Sequence, residues 1–389
     1  MMKIIMAEYA DWNGIFKLGS HYLCERFLEQ GASVLWFRSY WNMFTPAVAW
    51  RGFKVSLRQW RIRPVRLKKN LYGFSPFTLL PYRNLPGFKS ETVGSNALRL
   101  SLPPLQWWLK HNNWYEPDLL WVTAADLVTL PELVKYRYLV YRITDNYSAF
   151  DHIPSGFTEF ENRLIRRADV VITTFGEAFE RAKSMRKNGT HLLPNAVDLK
   201  RFATTKPTSI VKEIPSPRVM YLGSLEYWVD HDLIYRTATL RPEYSFVLAG
   251  PPPRRPTASL ARLGLLANVY FLGGVKQQLV PGLLQEADVA IIPYVGDPRT
   301  HNASPLKLYE YLAAGLPVVS TALKEVMSSE APVLFGRSAE EFAAAIDNAL
   351  TMGKGRQEFL DFAAENTWEK RLSKIEDILI EHGLQGFAE

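Results

Sequence analysis

The chain has 389 residues, 47% of them hydrophobic, and a formal net charge of +7; this is more apolar material than one ordinary core takes, so two domains are expected. The lone Cys24 excludes an intrachain disulfide and, among apolar neighbours in a helical pattern, reads as a small buried hydrophobe suited to a reducing cytoplasm. No run reaches the roughly 18–20 uncharged apolar residues of a membrane-spanning helix, which leaves peripheral membrane contact as the only kind open to it.

Lys3 to Ala7 reads as a first strand; it is too short for a signal-peptide core, and Asp11 follows almost at once. Lys17 to Gln30 carries Leu18, Tyr22, Leu23 and Phe27 at helical spacing, Gly31 is placed to end it, and Ser33 to Phe37 is the next strand. Between Val48 and His111 stand 12 Lys or Arg against one acid, Glu91, a local charge of +11 that leaves −4 for the rest of the chain. Trp50, Phe53, Trp60, Tyr72, Phe74, Phe77, Tyr82, Phe88, Trp107 and Trp108 are interleaved with these cations. Cations with embedded aromatics suit an anionic bilayer surface and the diphosphate of a lipid-linked acceptor. The same composition suits nucleic acid, but no helix-turn-helix, zinc or RNA-recognition signature accompanies it. A third reading is a solvated surface over a few core aromatics.

The alternation then resumes with strand Asp118 to Val122, helix Leu127 to Tyr136, strand Tyr138 to Arg142, helix Phe157 to Ala168, strand Asp169 to Thr173, helix Gly176 to Lys187 and a short strand ending at Pro194. Asn195 to Pro217 loses all periodicity and reads as a linker. Beyond it come strand Arg218 to Leu222, helix Asp230 to Leu240, strands Tyr244 to Ala249 and Asn268 to Leu272, helix Lys276 to Glu286, strand Asp288 to Pro293, helix Pro305 to Ala314 and strand Pro317 to Ser320. The tail from Ala339 is helical in pattern, with Trp368 as a large anchor for the last helix. Wholly apolar strands separated by amphipathic helices imply parallel sheets covered on both faces. The expected division is 1–200, 201–366 and a last helix, 367–389, returning toward the first domain.

Ser304 and Pro305 start a helix whose free N–H groups suit an anion, and Lys307 in its first turn opposes the helix dipole, as a diphosphate would explain. Glu310, one turn on, can pair with Lys307 or accept from ribose hydroxyls. A capped helix with a surface ion pair is the plain alternative. Tyr221-Leu-Gly-Ser-Leu225 is a strand entering a glycine turn, where Gly223, Ser224 and Leu225 can approach a ligand, or an ordinary strand-to-helix turn. In the first half, Tyr141-Arg-Ile-Thr-Asp-Asn-Tyr147 delivers Asp145 to the carboxyl edge of a sheet, where it can serve as a general base or cap a turn. The loop Asp11 to Lys17, with Asn13 and Gly14, lies at the same edge, as do Arg142 and Asn146.

The phrase Ser304-Pro-Leu-Lys-Leu-Tyr-Glu-Tyr-Leu-Ala-Ala-Gly-Leu-Pro-Val-Val319 resembles the donor-binding helix of GT-B glycosyltransferases, in particular glycosyltransferase family 4 and the xanthan-assembly glucuronosyltransferase. Tyr141 to Tyr147 is similar to a segment of the latter, where the Asp is the proposed base, and of teichuronic-acid-type transferases. The resemblance implies two Rossmann-like domains with parallel sheets facing a central cleft. It carries over Lys307 as a diphosphate contact, Glu310 as a ribose contact, and Ser304, Leu306 and Leu308 around them. It places Val275 near the nucleobase, Tyr294 near the nucleotide, and makes Asp145 the catalytic candidate. Two positions depart from the pattern: Asn302 stands where many family 4 members have Glu, and no Arg or Lys occurs in Ser224 to Asp232. A base like Asp145 implies inversion whereas family 4 retains, so both stereochemical courses stay open. The implied activity is metal-independent, cofactor-free transfer of a hexose from a nucleotide-sugar, UDP before GDP. The implied acceptor is a lipid-linked or polysaccharide precursor in envelope or exopolysaccharide assembly, at the inner face of the plasma membrane. The competing readings are a nucleotide-sugar epimerase of the same fold and a non-enzymatic nucleic-acid binder.

Overall fold

A computed structural model describes residues 1–14, 17–48, 50–150, 153–203, 207–253, 257–301 and 304–384, without the side chains of 47–53 and 299. Two compact units are present, Met1–Pro194 with Leu372–Glu389, and Asn195–Arg371, against the boundaries of 200 and 366 expected from sequence.

The first unit contains β1 (Lys3–Glu8), β2 (Ser33–Arg38), β3 (Val65–Lys68), β4 (Leu71–Phe74), β5 (Phe77–Thr78), β6 (Ser101–Leu102), β7 (Leu119–Val122), β8 (Tyr138–Ile143), β9 (Val170–Thr173) and β10 (Thr190–Leu192). Its main sheet runs β10-β9-β8-β7-β1-β2-β4-β3, parallel except for the β3–β4 pair. Alternate residues feed two cores: Ile5, Leu35, Leu120 and Tyr141 enter one, and Met6, Trp36, Trp121 and Val140 enter the other. Burial on both faces is why these strands are apolar throughout. Leu372, Ile375, Ile378 and Leu379 of the last helix complete the second of these cores, beside Phe27 and Trp121.

The second unit holds β11 (Arg218–Leu222), β12 (Ser245–Ala249), β13 (Val269–Gly273), β14 (Val289–Ile292), β15 (Val318–Ser320) and β16 (Val333–Phe335), an all-parallel sheet ordered β13-β12-β11-β14-β15-β16. Among the parallel strands of each sheet the order reverses once, between β1 and β7 and between β11 and β14. Such reversals open a crevice at the carboxyl ends of the flanking strands, where α/β sheets take their ligands.

Three expectations change. Leu127 to Tyr136 is not one helix but two 3-10 turns, Ala125–Leu127 and Leu130–Glu132; Pro131 lacks the N–H that a continuous helix requires. The stretch Asn195 to Pro217, read as a linker, is packed: Val197, Phe202 and Val211 lie in the core of the second unit, and helix Lys200–Ala203 forms within it. Thr204 and Thr205 of that stretch lie outside the described residues, as does the chain after Leu384. Finally, Phe74, Tyr82 and Trp108 of the basic segment are core residues, with Phe74 and Trp108 stacked at 3.6 Å between ring centroids. Trp368 is buried in the second unit, its N–H bonded to the Val197 carbonyl at 3.0 Å.

Candidate active site

At the β11/β14 reversal the chain leaves β11 through Gly223, with φ +148° and its N–H on the Ala249 carbonyl at 2.9 Å. A Cβ on Gly250 would lie 1.9 Å from the Gly223 carbonyl oxygen, and one on Gly223 would lie 3.0 Å from Lys307 Nζ. Only glycine at both positions lets the two turns touch and the lysine lie across them. Lys307, in the first turn of helix Leu306–Ala313, donates to the Tyr294 hydroxyl. Its Nζ stands 5.1 Å from the Tyr221 ring centroid and 4.8 Å from that of Tyr294. These ring faces favour the cation and offset its repulsion by the helix start.

Glu310 pairs with Arg201, 3.8 Å away, in place of the expected Lys307. Burial pushes the Glu310 carboxyl up, while Arg201 and then Lys307 draw it back. Arg201 donates also to the Gln277 carbonyl at 2.7 Å; it was hidden in the aperiodic stretch, and no sequence signal marks it. Tyr311, on the same helix, accepts from Leu222 N–H at 2.9 Å, which fixes the helix against β11. Ser304 Oγ accepts from Asn195 N–H at 3.3 Å and its carbonyl from the Asn195 amide at 2.8 Å. Leu306 opens the helix half-buried, Ser224 accepts from the Tyr221 hydroxyl through its carbonyl at 3.0 Å, and Val275 is half-buried just past β13.

Leu225 and Leu308 do not fit the donor-contact role expected of them. Both side chains are 1% exposed in the core, and their N–H groups already bond the carbonyls of Pro251 and Pro305. Their apolar side chains fill the layer under the turn instead of facing a ligand. Asn302 lies outside the described residues.

In the first unit, Glu8, Thr123, Arg142 and Asp145 gather at the carboxyl ends of β1, β7 and β8. Thr123 Oγ donates to Glu8 Oε1 at 2.9 Å and accepts from the Trp121 indole at 3.1 Å. Burial pushes the Glu8 carboxyl from its usual 4.5 up to about 7, against the pull of Arg142 and hydrogen bonds from Ser20 and Thr123. Asp145 accepts from Thr144 Oγ at 3.1 Å, and burial raises it too, opposed by Thr144 and Arg142. The Thr144 hydroxyl also meets the Tyr147 hydroxyl at 2.8 Å. Asn146 Oδ1 accepts from Ser148 at 2.8 Å, so the following turn uses Asn146 and leaves Asp145 to Thr144. Asn13 and Gly14 are exposed in a turn closed by Gly14 N–H on the Asp11 carbonyl at 2.9 Å, and Ile15 and Phe16 beyond them lie outside the described residues. The sequence reading missed Glu8; the signal was an acid directly at the end of the first buried strand.

Residues 216–352 match the family model described as Glycosyl transferases group 1. The chain is 26% identical over 314 residues to a Bacillus subtilis (strain 168) protein described as a teichuronic acid biosynthesis glycosyltransferase, TuaH, covering 76% of this chain and 75% of that one. Its fold is similar to that of sucrose-phosphate synthase from Thermosynechococcus elongatus, with a TM-score of 0.69 at 16% identity over 98% of this chain and 99% of the other. It is also similar to Anabaena HepE in complex with UDP, with a TM-score of 0.67 at 16% identity over 98% and 100% of the two chains.

Proposed function

Because the chain is a glycosyltransferase of the GT-B fold, we propose that it moves a hexose from a UDP-sugar to a hydroxyl of a lipid-linked or polysaccharide-precursor acceptor in cell-envelope or exopolysaccharide assembly. The observation that carries the donor side is Lys307, held on the faces of Tyr221 and Tyr294 beside a glycine turn at a strand-order reversal. HepE, of similar fold, was solved with UDP and with UDP-glucose, and the related TuaH is described by teichuronic acid biosynthesis; both favour UDP and an envelope polymer here.

In this reading Asp145 takes the proton of the acceptor hydroxyl as its oxygen bonds the anomeric carbon. The bond from that carbon to the β-phosphate oxygen breaks, and UDP departs with the electron pair. Lys307 and the N–H groups at the start of its helix stabilise the leaving diphosphate, and Glu310 accepts from the ribose. Nothing in this sequence of steps calls for a metal ion. Calorimetry with UDP, GDP and ADP tests the donor: UDP binds tightest, and transfer from a UDP-sugar survives EDTA. Equal binding of all three, or none, sinks the reading.

The acceptor side is proposed to meet the inner leaflet. Ile62, Leu102 and Trp107 are 64%, 42% and 49% exposed. They are drawn together by bonds from Trp60 to the Leu102 carbonyl, from Trp108 to the Arg61 carbonyl at 2.8 Å and from Asn112 to the Ile62 carbonyl at 2.9 Å. Arg58, Arg61 and Arg63 are exposed in the same stretch, and each cation near an anionic bilayer adds about 1 kcal/mol. No described helix is long and apolar enough to cross a membrane. The protein is expected to co-sediment with anionic vesicles at low salt and to release as salt rises; failure to co-sediment refutes the docking.

A further inference from the structure

The reversal between β1 and β7 gathers more than the proposed reaction uses. Ala7 lies opposite Val122, and Val122 opposite Tyr141, so Glu8, Thr123 and Arg142 are the next residues of three neighbouring strands. Residues in register on parallel strands share a face, here the face of Met6, Trp121 and Val140. Glu8 is 1% exposed and Arg142 6%. Among the described residues, the Arg142 guanidinium has no hydrogen bond and no ion pair within 4.0 Å, although the charges of both Glu8 and Asp145 favour it. An arginine anchored to neither carboxylate can respond to both.

The other titratable groups that feel Glu8 are Tyr9, next in the chain, Tyr147 after β8, and Cys24 on helix Gly19–Glu29. Burial pushes the thiol and both phenols up, so they stay neutral. Arg142 is then the charged group that acts on Glu8; Arg38, opposite Glu8 on β2, is favoured instead by Asp11 and Asp126.

We infer that Glu8 is a positioning residue for sugar transfer, setting through Arg142 the charge that Asp145 meets; this rests on the reading of Asp145 as the base. While Glu8 is protonated, Arg142 acts on Asp145 alone and keeps it a weak base. Once Glu8 ionises, the arginine is shared between two carboxylates, so Asp145 holds a proton more tightly and takes one from the hydroxyl more readily. The raised affinity of Glu8 for its proton places this change near neutrality.

The test is the pH dependence of kcat between about pH 5 and 9 in the full-length protein. The natural chain is expected to show a roughly threefold to tenfold rise centred near pH 7, as the base strengthens on ionisation of Glu8. Glu8→Gln abolishes that rise. Thr123→Val removes a donor to the ionised carboxylate and moves the rise to higher pH, which decides the matter if Glu8→Gln does not fold. In an Arg142→Met background, Glu8→Gln changes the profile no further. A rise that persists in Glu8→Gln, or an equal effect with Arg142 absent, overturns the inference. Absence of transfer in the natural chain would instead overturn the proposed function. Following the Asp145 carboxyl by ¹³C NMR without substrate then still decides the coupling: its signal shifts a second time near pH 7 in the natural chain and not in Glu8→Gln, and the same course in both overturns it.

Discussion

The two sheet reversals hold their charges in opposite ways. In the second unit, Lys307 rests on two aromatic faces and donates to Tyr294, while Glu310 is matched by a separate cation, Arg201. Each charge has its own partner there, and a ligand would meet a fixed positive group at a helix start. In the first unit a single arginine serves two carboxylates that burial makes reluctant to ionise. A fixed cation suits the holding of a diphosphate, whereas under-compensated carboxylates suit the uptake and release of a proton. The difference is one of chemistry, since the parallel-sheet scaffold is the same in both.

The contrast breaks first at Asp145. On the proposed reading, Asp145→Asn keeps the shape and removes the base, so kcat is expected to fall by about 10²–10⁴ while UDP affinity, assigned there to the second unit, stays as it was. Steady-state transfer together with UDP calorimetry separates the two quantities. Near-normal kcat would show that the first unit does not do proton chemistry. The next largest effect is expected at Lys307. Lys307→Met preserves the packing against Tyr221 and Tyr294 but removes the charge, and transfer should drop by about 10²–10³ with UDP binding weakened alongside. If UDP affinity were untouched, the fixed cation would not be a diphosphate contact.

The second site was largely legible in the sequence because it is written as one phrase. Ser304 to Val319 brings the helix start, Lys307, Glu310 and the following strand in a single run, and local chemistry suffices to read such a run. Its third dimension was not legible: Arg201 reaches Glu310 from a stretch without periodicity, and Leu225 and Leu308 turn inward because hydrophobic residues beside a ligand turn also roof the core. The first site is assembled from strand ends far apart in the chain. Arg142 and Asp145 are neighbours and could be seen, but Glu8 and Thr123 join them only through the parallel pairing of β1, β7 and β8. Strand periodicity predicts which residues are buried, not which strands adjoin. The basic segment was ambiguous for a related reason, since Phe74, Tyr82 and Trp108 look like Trp107 in composition and differ only in where the fold turns them.

The smallest expected effect sharpens the comparison through stability instead of turnover. Burial raises the Glu8 carboxyl from 4.5 to about 7, so the folded chain binds this proton more tightly than the unfolded chain. Stability from the protonated form is therefore complete below about pH 4.5 and lost as pH rises through about 7. A shift of this size corresponds to roughly 3 kcal/mol across that window. Gln at position 8 can still accept from Thr123 but never ionises. The stability difference between Glu8→Gln and the natural chain, followed by denaturant unfolding from acid to neutral pH, should thus grow in favour of the variant and level off above neutrality. Taking the difference removes the slope due to Glu310, which burial also raises and which lies in the other unit. A flat difference would mean that Glu8 holds its proton no more tightly in the fold than in the unfolded chain, its burial fully offset by Arg142, and the first site would then resemble the second.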